Sequence, residues 1–89
     1  MSTYTVTGNL TMLTASAQLA AFKWPDGASE LTLDLTQVAE VDSAAVSVLL
    51  HWQRMAQARK ARLAINGMPV SLAELIRLYD VQTLLPVGA

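Results

Sequence analysis

The segment Leu31-Thr32-Leu33-Asp34-Leu35-Thr36 alternates without exception between leucine and a polar residue. A period of two describes an extended strand, with the leucines on one face and Thr32, Asp34 and Thr36 on the other. A strand covered on both faces reads as a nearly continuous apolar run, so one face of this sheet is expected to be thinly covered. Beyond it the period changes. Asp42 or Ser43 opens a segment running to about Lys60, in which Ala45, Val48, Leu49, Trp52, Met55 and Ala56 gather on one side at 100° per residue. Ser43, Ser47, Leu50, Arg54 and Gln57 gather opposite, with His51 at their margin. Arg59, Lys60 and Arg62 lie at the helix end, where cations favour the macrodipole.

The flanking segments predict smaller elements. Tyr4, Val6 and Leu10 suggest a short early strand, broken by Gly8-Asn9. Thr14 is a candidate cap for a helix carrying Ala15, Leu19 and Phe22, ended by Trp24-Pro25-Asp26-Gly27. Arg62-Leu63-Ala64-Ile65 reads as a strand closed by Asn66-Gly67. A last helix begins either at a capping box, Ser71-Leu72-Ala73-Glu74, or with Pro69 at its first position. Its apolar stripe is Leu72, Leu75, Ile76 and Tyr79. Leu84-Leu85-Pro86-Val87 is a strand or an extended docking segment. Strands alternating with helices give an α/β domain with a mixed or parallel sheet and about three to four helices.

An 89-residue chain is one domain and is long enough for one core without staples. It has no cysteine, so disulfides and thiolate metal sites are excluded and a reducing compartment fits. Met1 to Thr5 lacks the basic start and apolar run of a signal peptide, and no apolar run is long enough to span a bilayer. A cytoplasmic protein that does not insert into membranes is expected. Charged residues make up 15% of the chain, against about 25% in ordinary domains. Few charges therefore cover the outside, which suits a partner surface and equally an alanine-rich helical one. A net charge of −1 gives no attraction toward nucleic acid.

Catalytic chemistry is missing. One histidine, His51, cannot build a metal cluster, and the four glycines are too scattered for a phosphate loop. Ser43 and His51 lie about 12 Å apart along a helix, too far for a nucleophile and its base. Ser47 and His51 are within reach of each other and read as a surface pair. Asp34 and Asp42 fall where they could share one end of the sheet as acid and base or hold a cation, but no third ligand or base accompanies them. No cofactor or metal is expected. The basic group at Arg59, Lys60 and Arg62 lacks interleaved aromatics, so nucleic acid is not expected as a partner.

The stretch Leu-Asp-Leu-Thr-Gln-Val-Ala-Glu-Val-Asp-Ser-Ala-Ala-Val-Ser-Val-Leu-Leu, from Leu33 to Leu50, resembles the signature of STAS domains, found in anti-sigma-factor antagonists and anion transporters. The likeness extends from Gly8-Asn9-Leu10 to Tyr79-Asp80-Val81. It implies a small STAS-like mixed β-sheet packed with helices, with the family's first strand shortened or lost. In the sigma-regulating branch the helix opens Asp-Ser-Ser-Gly and the second serine is the kinase target. Here those last two positions hold Ala44 and Ala45. Asp42-Ser43-Ala44-Ala45 is more similar to the MlaB-like branch, the small subunits of the ABC transporter that maintains outer-membrane lipid asymmetry.

That resemblance implies a non-catalytic accessory subunit, bound to the transporter's ATPase in a complex with a membrane permease. Asp42 is expected to cap the helix. Ser43, Ser47, Leu50, His51 and Arg54 are the candidate contact, an apolar centre with a polar rim. Trp52 is assigned to the core, and Trp24 to either core or contact surface. The alternative is an anti-sigma-factor antagonist switched by phosphorylation, with Ser43 taking over as phosphoacceptor.

Overall fold

A computed structural model describes residues 2–81 and 84–85 of the chain. Three strands, β1 (Ser2–Leu10), β2 (Glu30–Val41) and β3 (Arg62–Asn66), alternate with three helices, α1 (Ala15–Ala21), α2 (Ser43–Ala58) and α3 (Val70–Leu78). The strands lie in the order β1-β2-β3, and both pairings are parallel. Each crossover advances across the sheet in the same direction. Right-handed connections then place α1 and α2 on one face.

That face holds the core. Leu31, Leu33 and Leu35 point into it with Val6, Leu63 and Ile65, beneath Ala45, Val48, Leu49, Trp52 and Ala56 of α2 and Leu72 and Ile76 of α3. Trp52 is fully buried, meeting Phe22 at 5.1 Å between ring centroids, while Tyr4 meets Phe22 edge-on at 4.9 Å. Among the described residues its Nε1 has no hydrogen-bond partner. Trp24 is a core residue too. Its Nε1 donates to the Ala28 carbonyl at 3.1 Å, and the Arg59 guanidinium covers its ring. The opposite face carries the rows Thr3–Thr32–Ala64 and Thr5–Asp34–Asn66, exposed or half-buried. A parallel sheet with one polar face explains the clean alternation of β2.

Several boundaries differ from the sequence reading. β1 passes through Gly8-Asn9, because Gly8 adopts a positive φ of 81° that keeps the strand going. β2 continues five residues past Thr36, pairing with β1 in two irregular steps where it advances three residues for every two of β1. Those bulges break the alternation that identifies a strand. α1 stops at Ala21, with Phe22 already extended and buried. Thr14 stands at its N-cap but makes no capping bond. At α3 neither predicted opening forms: Pro69 is the N-cap, outside the helix, and no side chain caps it. Tyr79, assigned to the apolar stripe, is 50% exposed, since Leu72 and Ile76 form the seam. Leu84 lies in a short 3₁₀ turn and Leu85 is buried. Pro86 and Val87 of that tail lie outside the described residues.

Gly67 ties β3 back to β2. Its φ of 70° is left-handed, and a Cβ there would come within 3.1 Å of the Thr36 backbone nitrogen. No other residue type fits without displacing β2.

Candidate functional site

The opening of α2 is organised by one carboxylate. Asp42 lies in extended backbone at the N-cap, and its Oδ1 accepts the Ala44 N–H at 2.8 Å. Its Oδ2 accepts the Met12 N–H at 3.0 Å, from the turn between β1 and α1. Its own N–H donates to the Leu10 carbonyl at 3.2 Å. One residue thus caps the helix and fastens the neighbouring turn beside it.

α2 and α3 close in a common way. Lys60 and Asp80 adopt left-handed φ values of 54° and 56°. The Ala61 N–H reaches back to Ala56 O at 2.9 Å, and the Val81 N–H to Ile76 O at 3.2 Å, as in a Schellman motif. The second closure sets Tyr79 and Val81 beside α2.

Between these features runs a groove of about 470 Å³. Met12 stands at one end, Tyr79 and Val81 form the far wall, and α2 supplies the floor through Ser43, Ala44, Val46, Ser47 and Leu50. Ser43 and Ser47 are exposed, so their hydroxyls edge an otherwise apolar trough. Leu50 is half-buried: it packs on the core with one side and opens into the groove with the other. It also borders a second depression of about 330 Å³ formed with Gln53, Arg54, Gln57 and Leu84.

Of the residues singled out in the sequence, Ser43, Ser47 and Leu50 therefore meet in one groove, and Arg54 stands in the adjoining depression. His51 is exposed and lines neither. Asp34 and Asp42 are not brought together. They stand eight residues apart on β2 and its end, roughly 26 Å at strand rise. Asp34 instead accepts the Thr36 N–H at 2.9 Å on the open face. Its carboxyl titrates below the ordinary value, lowered first by the Thr36 hydroxyl and then by that N–H, with burial opposing. Among the described residues no cluster of His, Asp and Glu could hold a metal ion, and no helix is long and apolar enough to cross a membrane.

The sequence reading missed Met12, Ala44, Val46, Tyr79 and Val81 as groove residues. Tyr79 was placed in the core by periodicity. Met12 and its neighbour Leu13 fall outside the stripe Ala15, Leu19 and Phe22, and that exclusion was the available signal.

A three-stranded parallel sheet with helices gathered on one face, and a groove at an Asp-capped helix, define a small α/β domain with a surface site. The sequence profile of the family described as "Mlab, STAS domain" matches residues 2–86, and the chain belongs to this STAS family. No curated protein matches it. STAS domains as a class serve regulatory or accessory roles through protein–protein contacts and are generally non-catalytic.

Proposed function

We propose that this domain is a non-catalytic accessory subunit that docks on the ATPase of an Mla-type phospholipid ABC transporter, on its cytoplasmic side, with the membrane permease in the same complex. The groove beside Ser43, Ser47 and Leu50 carries the reading. It joins an apolar floor to a polar rim at the helix that the family signature opens. The family description and Ala44, which has no hydroxyl at the usual phosphoacceptor position, favour the transporter branch. Docking there braces the ATPase by mass action, since a partner that binds only the folded form stabilises it by about 2.7 kcal/mol at 100 times Kd.

Affinity purification from the native cell tests this. The wild-type chain is expected to bring down an ABC ATPase and its permease, and Leu50→Asp to lose them while keeping the wild-type circular dichroism. Placing a charge at the centre of an interface costs 2 kcal/mol or more, about thirtyfold in affinity. Unfolding of Leu50→Asp with wild-type behaviour of Leu50→Ser would assign Leu50 to the core alone. The exposed hydroxyl of Ser43 at the start of α2 supports the antagonist reading, although the adjacent Asp42 carboxylate opposes a phosphate there. Capture of a serine-kinase-like regulator, together with a phosphate on Ser43, would establish that reading instead.

A further inference from the structure

Met12 and Leu13 are 76% and 97% exposed, yet their turn is firmly built. The Met12 N–H is held by Asp42. Thr14 Oγ1 accepts the Thr11 N–H at 3.0 Å and donates to the Asn9 carbonyl at 2.7 Å. The Gln18 amide donates to the Thr7 and Asn9 carbonyls at 2.8 and 3.0 Å. Single exposed apolar side chains are ordinary. Here two large ones are adjacent, on a turn braced from both sides, and the first continues as a wall of the groove.

The same surface extends in the other direction. Leu50 links the groove to the depression holding Arg54 and Leu84, the latter 57% exposed. From Ser43 to Arg54 the surface follows α2 for about 16 Å, three turns of a helix. Its charge is polarised. Asp42 stands at the Met12 end, with both oxygens already engaged, and Asp80 lies at the side, next to Tyr79 and Val81. Arg54, at the far end, is exposed and makes no ion pair among the described residues, where the ion pair present is Arg62 with Glu30. The groove is lined by α2, the β1–α1 turn and the closure that follows α3, and no strand borders it, so no strand edge there invites an added strand. The floor at Ser43, Ala44 and Ser47 is low enough to admit a helix closely.

Resting on the docking role argued above, we propose that the partner seats an amphipathic helix of about three turns along this surface, its apolar side chains on Met12, Leu13, Leu50 and Leu84 and a carboxylate over Arg54. The β1–α1 turn is thus the second half of the interface.

The chain has no cysteine, so Leu13→Cys and Ser47→Cys each provide a unique attachment point for a benzophenone cross-linker. The two full-length labelled proteins are irradiated in extracts of the native cell and the attached peptides sequenced. Both labels are expected on one helix of one partner, at apolar positions, with an Asp or Glu toward the end away from Leu13. Arg54→Glu is expected to weaken capture at least tenfold, and reversing that acidic residue to Lys to restore it. Attachment of the two labels to separate segments, to a loop or strand, or to nothing would overturn the helix. So would capture that is unchanged by Arg54→Glu and by Leu13→Ser. An ATPase captured in that last case leaves the transporter role standing without the helix. The same helix found in another class of protein does the reverse.

Discussion

The two principal helices close alike and open differently. α2 and α3 both end with a left-handed residue and a bond back to the last turn. Their openings have little in common. Asp42 gives α2 a side-chain cap and a second bond to a distant turn, whereas Pro69 opens α3 with neither. Closure is local geometry that any helix end can satisfy. The opening of α2 has a further task, because the turn it fastens displays Met12 and Leu13 next to the groove. Polar structure is thus concentrated where position matters for docking, and the α3 end relies on Leu72 and Ile76 in the core.

The sharpest way to break this contrast is Asp42→Ala. It removes a cap and leaves the Met12 N–H without its acceptor, so a loss of about 1–2 kcal/mol is expected in urea denaturation. Partner binding should fall further than stability, because the Met12 turn loses its tether. Asp42→Asn keeps one acceptor oxygen and should lie between. A binding loss no larger than the stability loss would show that Asp42 acts as a cap only.

The shared closures give a smaller effect. A side chain in left-handed backbone costs about 1–2 kcal/mol, and glycine returns about 0.5–1 kcal/mol of that through its unfolded-state freedom. Lys60→Gly and Asp80→Gly are therefore each expected to stabilise by about 0.5–1 kcal/mol, read as a higher urea midpoint at unchanged slope. Asp80→Gly should gain less, because aspartate tolerates this conformation better than lysine. Opposite signs at the two sites would show that the closures are not equivalent.

The parts of the fold legible in the sequence are those where one periodicity governs a whole element. In α2, the spacing that puts Trp52 inward puts Leu50 on the opposite stripe; Trp52 is fully buried, whereas Leu50 is half-buried, with one side packed on the core. The second half of β2 was hidden because its bulges interrupt the period of two. β1 was cut short because Gly8 serves there as an element of the strand, where glycine usually marks its end. Of the candidate site, Ser43, Ser47 and Leu50 of α2 were legible, and the wall made by the β1–α1 turn and the α3 closure was not. Its residues come from two parts of the chain distant from α2, and an isolated apolar pair such as Met12-Leu13 reads as core until a helix stripe leaves it out.

Asp34 sharpens the comparison at its finest grain, because it makes the same bond as Asp42. Each carboxylate accepts a backbone N–H two residues ahead, from Thr36 and from Ala44. At Asp42 that bond starts a helix, whereas at Asp34 it decorates the open face of a strand. The folded Asp34 carboxyl titrates below the ordinary 3.8, so its charged form is the one favoured by folding. Its contribution is fully present above that value and is lost as the pH falls through the lower folded midpoint. Carboxyl-carbon NMR should show Asp34 titrating below a free aspartate, and lowering the pH through that range should shrink the stability difference between wild type and Asp34→Asn. Replacing the Thr36 hydroxyl in Thr36→Val should move the midpoint back toward the ordinary value, since that hydroxyl is the largest cause. Partner capture by Asp34→Asn should match wild type at neutral pH, because the open face lies across the sheet from the groove. A loss of capture there would place part of the docking surface on the uncovered side.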